Sequence, residues 1–537
     1  MYLKYQEGLF RLSLLHPTAL ANSSFISPAE ALAQPRDMIV IGGLGNNPHI
    51  VGICSNADDL PKGAFDSVLP AIYPEWLGDR QFTHLHNIRF PYVVGEMARG
   101  IATPEMVIAA SRAGLLGFYG SAGLQTGEVL EGIRTIKAGL SGFAASWGAN
   151  VIHTPQQPGY EAAIIDLFVE QEVRRVSASA YMAISPEIVR YTCLGLEAAP
   201  DGEIIRNNHV FAKVSRAEVA AAFMAPPPED VLATLLAQGR ITEQQARLAA
   251  TVPVAAEITA ESDSGGHTDN RPASVVFSSL VAVRDKISRQ HGYGPNTIRI
   301  GLAGGIATPQ ATAAAFHMGA AFVLTGSVNQ SAIESGLSRA GREALCKAGP
   351  ADVMMAPAAD MFEQGVKVQV LKRGTMFALR GERLYRLYRT GLAFEDMPAA
   401  DQAWVETILK EPFAEAWQAS RDYLLKINPK TVEAAERDGS KKFALVCRRY
   451  LFMGAQWARE GVAGRQADFQ IWCGPAMGAF NEWVAGTALE PLEARTVKQI
   501  GWNLLEGAAV LTRAAQLRSS GVAVPSECFS FVPRIFG

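Results

Sequence analysis

The residues with the most chemical promise lie in short glycine-bearing loops. Gly301-Leu-Ala-Gly-Gly-Ile-Ala-Thr-Pro309 follows a strand-like run and opens a helix. Gly304 and Gly305 would let backbone N–H groups come close to a phosphate, and the helix start adds a favourable dipole. Gly326-Ser327, at the end of the next strand-like run, offers further backbone and hydroxyl donors. A tight glycine turn with no ligand would use the same residues. Phosphate binding is the preferred reading because the two loops fall on consecutive strand ends. A second loop, Asp263-Ser-Gly-Gly-His267, continues into Thr268-Asp-Asn-Arg-Pro272. Its paired glycines, Gly265 and Gly266, permit a backbone shape that presses against a flat ligand. His267 is then placed to act as an acid or a polarising donor, or else as a structural histidine. The third loop, Val94-Gly-Glu-Met-Ala-Arg-Gly-Ile101, puts Gly95, Glu96 and Met97 where backbone can lie beside a ring system. Asn150 and Lys213 stand at strand positions that suit polar side chains poorly. Either could bond the edge of a bound ring, or Lys213 could pair with a carboxylate.

These loops need a scaffold that brings several strand ends together. Eight β-prone runs alternate with alanine-rich helical stretches: 88–94, 115–120, 150–154, 175–181, 209–214, 252–258, 297–303 and 321–326. That alternation and number predict an α/β fold, a TIM (β/α)8 barrel, whose catalytic residues sit at the C-terminal strand ends. In such barrels the loops after strands seven and eight are the usual phosphate site. Thr103-Pro104 and Thr308-Pro309 mark helix starts, each an N-cap hydroxyl followed by proline. Thr242-Glu-Gln-Gln245 is a capping box for a helical insertion near 225–250. Gly100-Ile-Ala-Thr-Pro104 recurs as Gly305-Ile-Ala-Thr-Pro309, an echo expected of repeated strand–loop–helix units. The expected organisation is an N-terminal segment over 1–87, the barrel over 88–392 and a helical C-terminal region over 393–537. Within the last, Ile500, Leu504, Ala508, Leu511 and Ala515 repeat at helical spacing.

The balance of 49 basic and 52 acidic residues, net −3, gives no electrostatic reason to expect nucleic acid. Six dispersed cysteines form no CxxC pair and signal neither a metal site nor a disulfide framework. No apolar run reaches the roughly 20 residues of a membrane helix. Glu7 and Arg11 interrupt the N-terminal apolar residues. A cytoplasmic protein without a signal peptide is therefore expected.

Three further segments carry a family resemblance together with Asp263–Pro272, in a match that runs from 69–79 to the C-terminal helices: Met355-Ala-Pro-Ala-Ala-Asp-Met-Phe-Glu-Gln-Gly365, Lys372-Arg-Gly-Thr-Met-Phe377 and Gln470-Ile-Trp-Cys-Gly-Pro-Ala-Met-Gly-Ala-Phe480. The chain resembles the flavin barrels of the nitronate monooxygenase and FMN-type enoyl reductase superfamily. Within it, the chain is most similar to the PfaD-type trans-acting enoyl reductases of polyunsaturated fatty-acid and polyketide synthases. The resemblance implies bound FMN, NADPH or NADH as reductant, and enoyl thioesters on an acyl carrier protein. It implies His267 as the active-site histidine and Gly304, Gly305, Gly326 and Ser327 as holders of the FMN phosphate. It also sets the Gly95–Met97 loop beside the isoalloxazine. Glu96 and Arg99 depart from the family pattern, where small or neutral residues are expected, and a carboxylate there would alter the flavin potential. Arg380, Arg383, Arg386 and Arg389 recur every three residues, a basic face suited to an acidic carrier or simply a solvated helix face. The rival readings are a nitronate monooxygenase-like oxidase and a barrel scaffold without catalysis.

Overall fold

The computed structural model describes residues 26–33, 35–43, 47–55, 60, 65–154 and 158–537. Glu7 and Arg11 lie outside the described residues. Eight parallel strands close into a barrel in sequence order, the eighth pairing with the first. They are Tyr92–Val94, Leu116–Tyr119, Trp147–Ile152, Arg175–Ser179, His209–Val214, Glu257–Glu261, Arg299–Ala303 and Val323–Thr325. Each overlaps an expected run, and the fifth agrees residue for residue. The sixth is displaced from 252–258 toward the C-terminus. Val254 and Ala255 are fully buried in a connection that bonds back to Ala225 and Phe223, so apolar character there marks packing and not pairing. The strand itself carries Glu257, Thr259 and Glu261 on its inner side, which hides it from an apolar pattern.

Helix starts follow the capping chemistry. Thr103 Oγ1 accepts the Met106 N–H at 3.0 Å, and Thr308 Oγ1 accepts that of Ala311 at 3.3 Å. The echoed segments also match in backbone shape: φ is +70° at Gly100 and +71° at Gly305, +78° at Gly114 and +95° at Gly319. Only glycine takes these angles without strain. Helices Glu229–Ala237 and Glu243–Ala249 stand between the fifth and sixth strands, the second opened by the Thr242 box.

The barrel interior is layered. Helix Arg80–Leu85 closes the N-terminal end, with Phe82 stacked on Phe322 at 4.5 Å. Beside it Glu257 accepts from His86 at 3.2 Å and from Arg299 Nη2 at 2.5 Å, while His86 Nδ1 accepts from Arg175 at 3.1 Å. Val93, Phe118, Phe211 and Leu324 fill the middle. The layer above is polar and forms the floor of the C-terminal face.

Beyond the barrel an antiparallel pair, Val353–Pro357 with Lys367–Leu371, takes Gly266–His267 as a third strand. This hairpin was not expected from the sequence; its alternation is short and sits among glycines and prolines. Helices then dominate, including Phe377–Tyr388, Ala399–Leu409, Phe413–Ile427, Gly439–Glu460 and Val497–Ser519. No described helix is long and apolar enough to cross a membrane. Contacts divide the chain into two units, Glu75–Leu505 with Val532–Gly537, and the described residues up to Pro74 with Glu506–Phe531. The smaller unit holds a three-stranded antiparallel sheet ordered His49–Cys54, Met38–Gly42, Ser67–Leu69. Arg513 is fully buried there, and its guanidinium donates to the carbonyls of Pro35, Asp37 and Pro70. Burial pulls its pKa down to about 10.

Candidate active site

The floor of the C-terminal face is built by side chains that alternate inward along the strands. Lys213, inward on the fifth strand, holds Glu96 Oε1 at 3.1 Å and Glu261 Oε1 at 3.3 Å. Ser179 Oγ donates to Glu96 Oε1 at 2.8 Å, and Ser264 Oγ to Glu261 Oε1 at 3.2 Å. Burial disfavours the Lys213 ammonium, but the Glu261 and Glu96 carboxylates outweigh it, and the lysine stays cationic with its pKa raised. Of the two fates open to Lys213, carboxylate pairing is the one observed. Asn150 is buried, and its amide donates to Ser177 O at 3.2 Å and Ser179 Oγ at 3.1 Å. Its N–H groups thus tie the third strand to the fourth.

Several buried polar atoms at this end have no partner among the described residues: Glu96 Oε2, Thr259 Oγ1 and Gln330 Oε1. A buried polar atom without a partner costs about 1–3 kcal/mol, so such a group at a mouth is a place for a ligand. Gly304 and Gly305 both take positive φ, +85° and +71°. A Cβ on Gly304 would sit 2.5 Å from Ser262 Oγ, whereas one on Gly305 or Gly326 would meet nothing within 4 Å among the described residues. Open space at two glycines on adjacent strand ends is a cradle that side chains would fill. Ser327 Oγ accepts the Gly474 N–H at 3.1 Å, which brings the 470–474 segment over the same edge.

Gly95 is required where it stands: its N–H bonds Thr325 O at 2.9 Å, and a Cβ would lie 2.5 Å from Leu324 Cδ2. Glu96 turns inward to the floor. Met97 is buried in the main core. Arg99 leaves the floor altogether; its guanidinium lies 3.7 Å over the Phe452 ring and donates to Phe452 O at 3.1 Å.

The His267 loop is held from outside the barrel. Gly266 pairs with Gln369 and His267 with Val368. Gln369 Nε2 donates to Asp263 Oδ1 and to Ser264 O, both at 2.8 Å, and Asn270 Nδ2 donates to the same Asp263 oxygen at 2.8 Å. Gly265 packs against Cys473, whose backbone N would lie 2.7 Å from an added Cβ. His267 Nε2 faces Asp360 Oδ1 at 3.5 Å. Burial lowers the imidazole pKa, but Asp360, then Glu261, outweigh it and the net shift is upward. The Asp360 carboxyl moves down, burial being outweighed by His267.

Glu261, Ser179, Asp360 and Gln369 were missed as site residues by sequence reasoning. Asp360 lies inside a segment that carried the resemblance, so that signal existed, without a role attached. The basic face is narrower than its spacing suggests. Arg380 pairs with buried Asp468, and Arg383 bonds Asp401 at 3.0 Å while covering Trp404 at 4.0 Å.

A family model described as nitronate monooxygenase matches residues 80–379, and one described as the inserted helical domain of [acyl-carrier-protein] S-malonyltransferase matches 392–469. The chain is 43% identical over 468 residues to a polyunsaturated fatty acid synthase subunit of Thraustochytrium sp., covering 86% of this chain and 31% of that relative. It is 38% identical over 446 residues to the polyketide biosynthesis protein PksE of Bacillus subtilis, covering 83% of this chain and 58% of PksE. The chain thus spans from under a third to just over half of these relatives. Among solved structures, the enoyl reductase domain of MlnA from Bacillus amyloliquefaciens superposes with a TM-score of 0.78 at 35% identity, covering 83% of this chain and 99% of that domain.

Proposed function

Since the chain belongs to the nitronate monooxygenase family, we propose that it is an FMN-dependent enoyl reductase acting in a polyketide or polyunsaturated fatty-acid synthase. The observation that carries this reading is the likeness to the MlnA enoyl reductase domain over nearly all of that domain. Its substrates are α,β-unsaturated thioesters on an acyl carrier protein, and NADPH or NADH is the reductant. The relation to synthase subunits and to PksE supports that setting.

The residues present fit the cofactor. Gly304, Gly305, Gly326 and Ser327 would hold its phosphate in the open space at the last two strand ends. Gly95, Glu96 and Met97, with Gly265 and Gly266, would border the ring, and Asn150 and Lys213 would lie near it in the floor. Glu96 Oε2, Thr259 Oγ1 and Gln330 Oε1 supply polar atoms that lack partners among the described residues. When bound, FMN supplies hydride transfer between the nicotinamide and carbon, chemistry that no side chain can perform.

The protein's own task is to orient the thioester and move one proton. His267 is the residue for it. Its Nε2 faces Asp360, which leaves Nδ1 as the ring nitrogen for the substrate. Asp360 raises its proton affinity, so the imidazole is better able to carry a proton that it releases to the α-carbon or shares with the carbonyl. The antiparallel pairing with Lys367–Leu371 fixes this loop, which limits the reorientation the reaction would otherwise need.

The cofactor assignment is tested by denaturing the purified, FMN-reconstituted protein and identifying the released chromophore. FMN near one equivalent per chain is expected. FAD, or no flavin after reconstitution, would remove the basis of the reading.

A further inference from the structure

The strongest unexplained feature of the barrel is the charge in its upper interior. Glu96, Lys213 and Glu261 come from the first, fifth and sixth strands or their ends, and they meet inside the barrel. Two carboxylates share one ammonium, leaving one net negative charge. The Glu96 side chain is only 3% exposed and that of Glu261 17%. A strut between strands would be served by one carboxylate and one lysine. The second carboxylate adds desolvation cost and repulsion, and Glu96 Oε2 is left without a partner among the described residues. That unpaired oxygen turns the arrangement from a strut into a fixed field.

We propose that the Glu96–Lys213–Glu261 triad is a redox-tuning device, whose net negative charge holds the potential of the bound flavin low and so favours its giving up electrons to the substrate. The inference rests on the flavin reading. Two-electron, one-proton reduction leaves a flavin one charge more negative than before. A buried negative floor opposes that change, and low local dielectric strengthens the opposition. Lys213 cannot cancel it, since its charge is divided between two acids. The same field reaches His267, where Glu261 favours the protonated ring and Lys213 opposes it. Glu96 is thus a positioning residue for charge. It sets the electrostatic environment of the reacting groups and exchanges no atoms with them.

The test is a spectroelectrochemical titration of the FMN-loaded protein beside its Glu96→Gln, Glu261→Gln and Glu161→Gln variants. Glu161 is the control: a buried carboxylate bonded to Tyr181, Ser185 and His153 that belongs to none of the triad's contacts. Glu96→Gln should favour binding of reduced over oxidised FMN by about tenfold, a positive shift of about 30 mV for a two-electron couple. Glu261→Gln should shift the same way by less, because its carboxylate is more exposed. Glu161→Gln should leave the potential where it was. Should Glu96→Gln not retain FMN, the Glu261→Gln shift decides. An unchanged or more negative potential in the triad variants, or an equal shift in Glu161→Gln, would overturn the proposal while leaving the flavin reading intact. Failure of the unsubstituted protein to take up FMN would instead defeat the flavin reading, and the tuning role with it.

Discussion

On the proposed reading, His267 serves one half of the reaction and not the other. It stands on the loop after the sixth strand, whereas the glycines proposed to hold the phosphate lie after the seventh and eighth. His267→Ala should therefore bind FMN and be reduced by NADPH at a near-normal rate. Reoxidation by a crotonyl thioester should slow by about a hundred- to ten-thousand-fold, the usual contribution of an acid–base group. Sequential-mixing stopped flow separates the two steps. Slow reduction with normal reoxidation would assign the histidine to the nicotinamide, and no change in either would make it structural. At this scale the sequence was informative where glycine was involved. Gly304, Gly305 and Gly266 all take positive φ, and glycine is the residue whose identity reveals backbone shape. It was less informative about partners. Nothing in the spacing of Glu96, Lys213 and Glu261 says that they meet, because contact between strands one, five and six is set by closure of the whole barrel. Asp360 was hidden for the same reason: it reaches His267 from a hairpin 93 residues further along.

At the scale of elements, the helix that plugs the N-terminal end of the barrel is as constrained as the mouth. Glu257 opens the sixth strand, Arg299 opens the seventh, and His86 ends the plug helix Arg80–Leu85. All three are buried together. Burial would raise the Glu257 pKa, but the His86 hydrogen bond and the Arg299 charge bring it to about 2. Burial lowers the pKa of His86, and that of His209 nearby. A histidine held neutral when folded binds its proton more readily when unfolded. Stability from His86 and His209 should therefore be present above about pH 6.5, the unfolded value, and decline as pH falls below it. Glu257 adds a second loss: its contribution is full above about pH 4.3 and disappears as pH falls toward its folded value. Urea unfolding at stepped pH should show decline beginning near 6.5 and steepening below 4.3. At pH 7, Glu257→Gln should cost about 3–5 kcal/mol, because it leaves Arg299 buried without its counter-charge. A pH-independent midpoint between 7 and 5 would contradict this account of the plug. These groups escaped sequence reading because a charged residue at a strand start looks like a strand boundary, as the displaced sixth strand illustrates. Helix starts, by contrast, were legible, since Thr103, Thr242 and Thr308 cap through neighbours three residues away.

At the scale of the molecule, the parallel barrel was readable because eight β-prone runs alternate with helices, and chirality and closure leave few other solutions. The hairpin that grips the His267 loop, and the 470–474 segment over Gly265, were legible only as stretches of resemblance without a physical role. Their role lies in long-range packing, which local pattern does not encode. On the proposed reading, barrel, cradle, charged floor and carboxylate-backed histidine together serve reduction of a conjugated thioester. The most direct measurement is anaerobic turnover of the FMN-loaded protein with NADPH and a crotonyl thioester, following NADPH loss and analysing the product. The expected result is stoichiometric formation of the saturated butyryl thioester, with one NADPH consumed per double bond reduced. No butyryl product, together with oxygen-dependent consumption of a nitroalkane in the absence of NADPH, would contradict it and identify an oxidase on the same barrel.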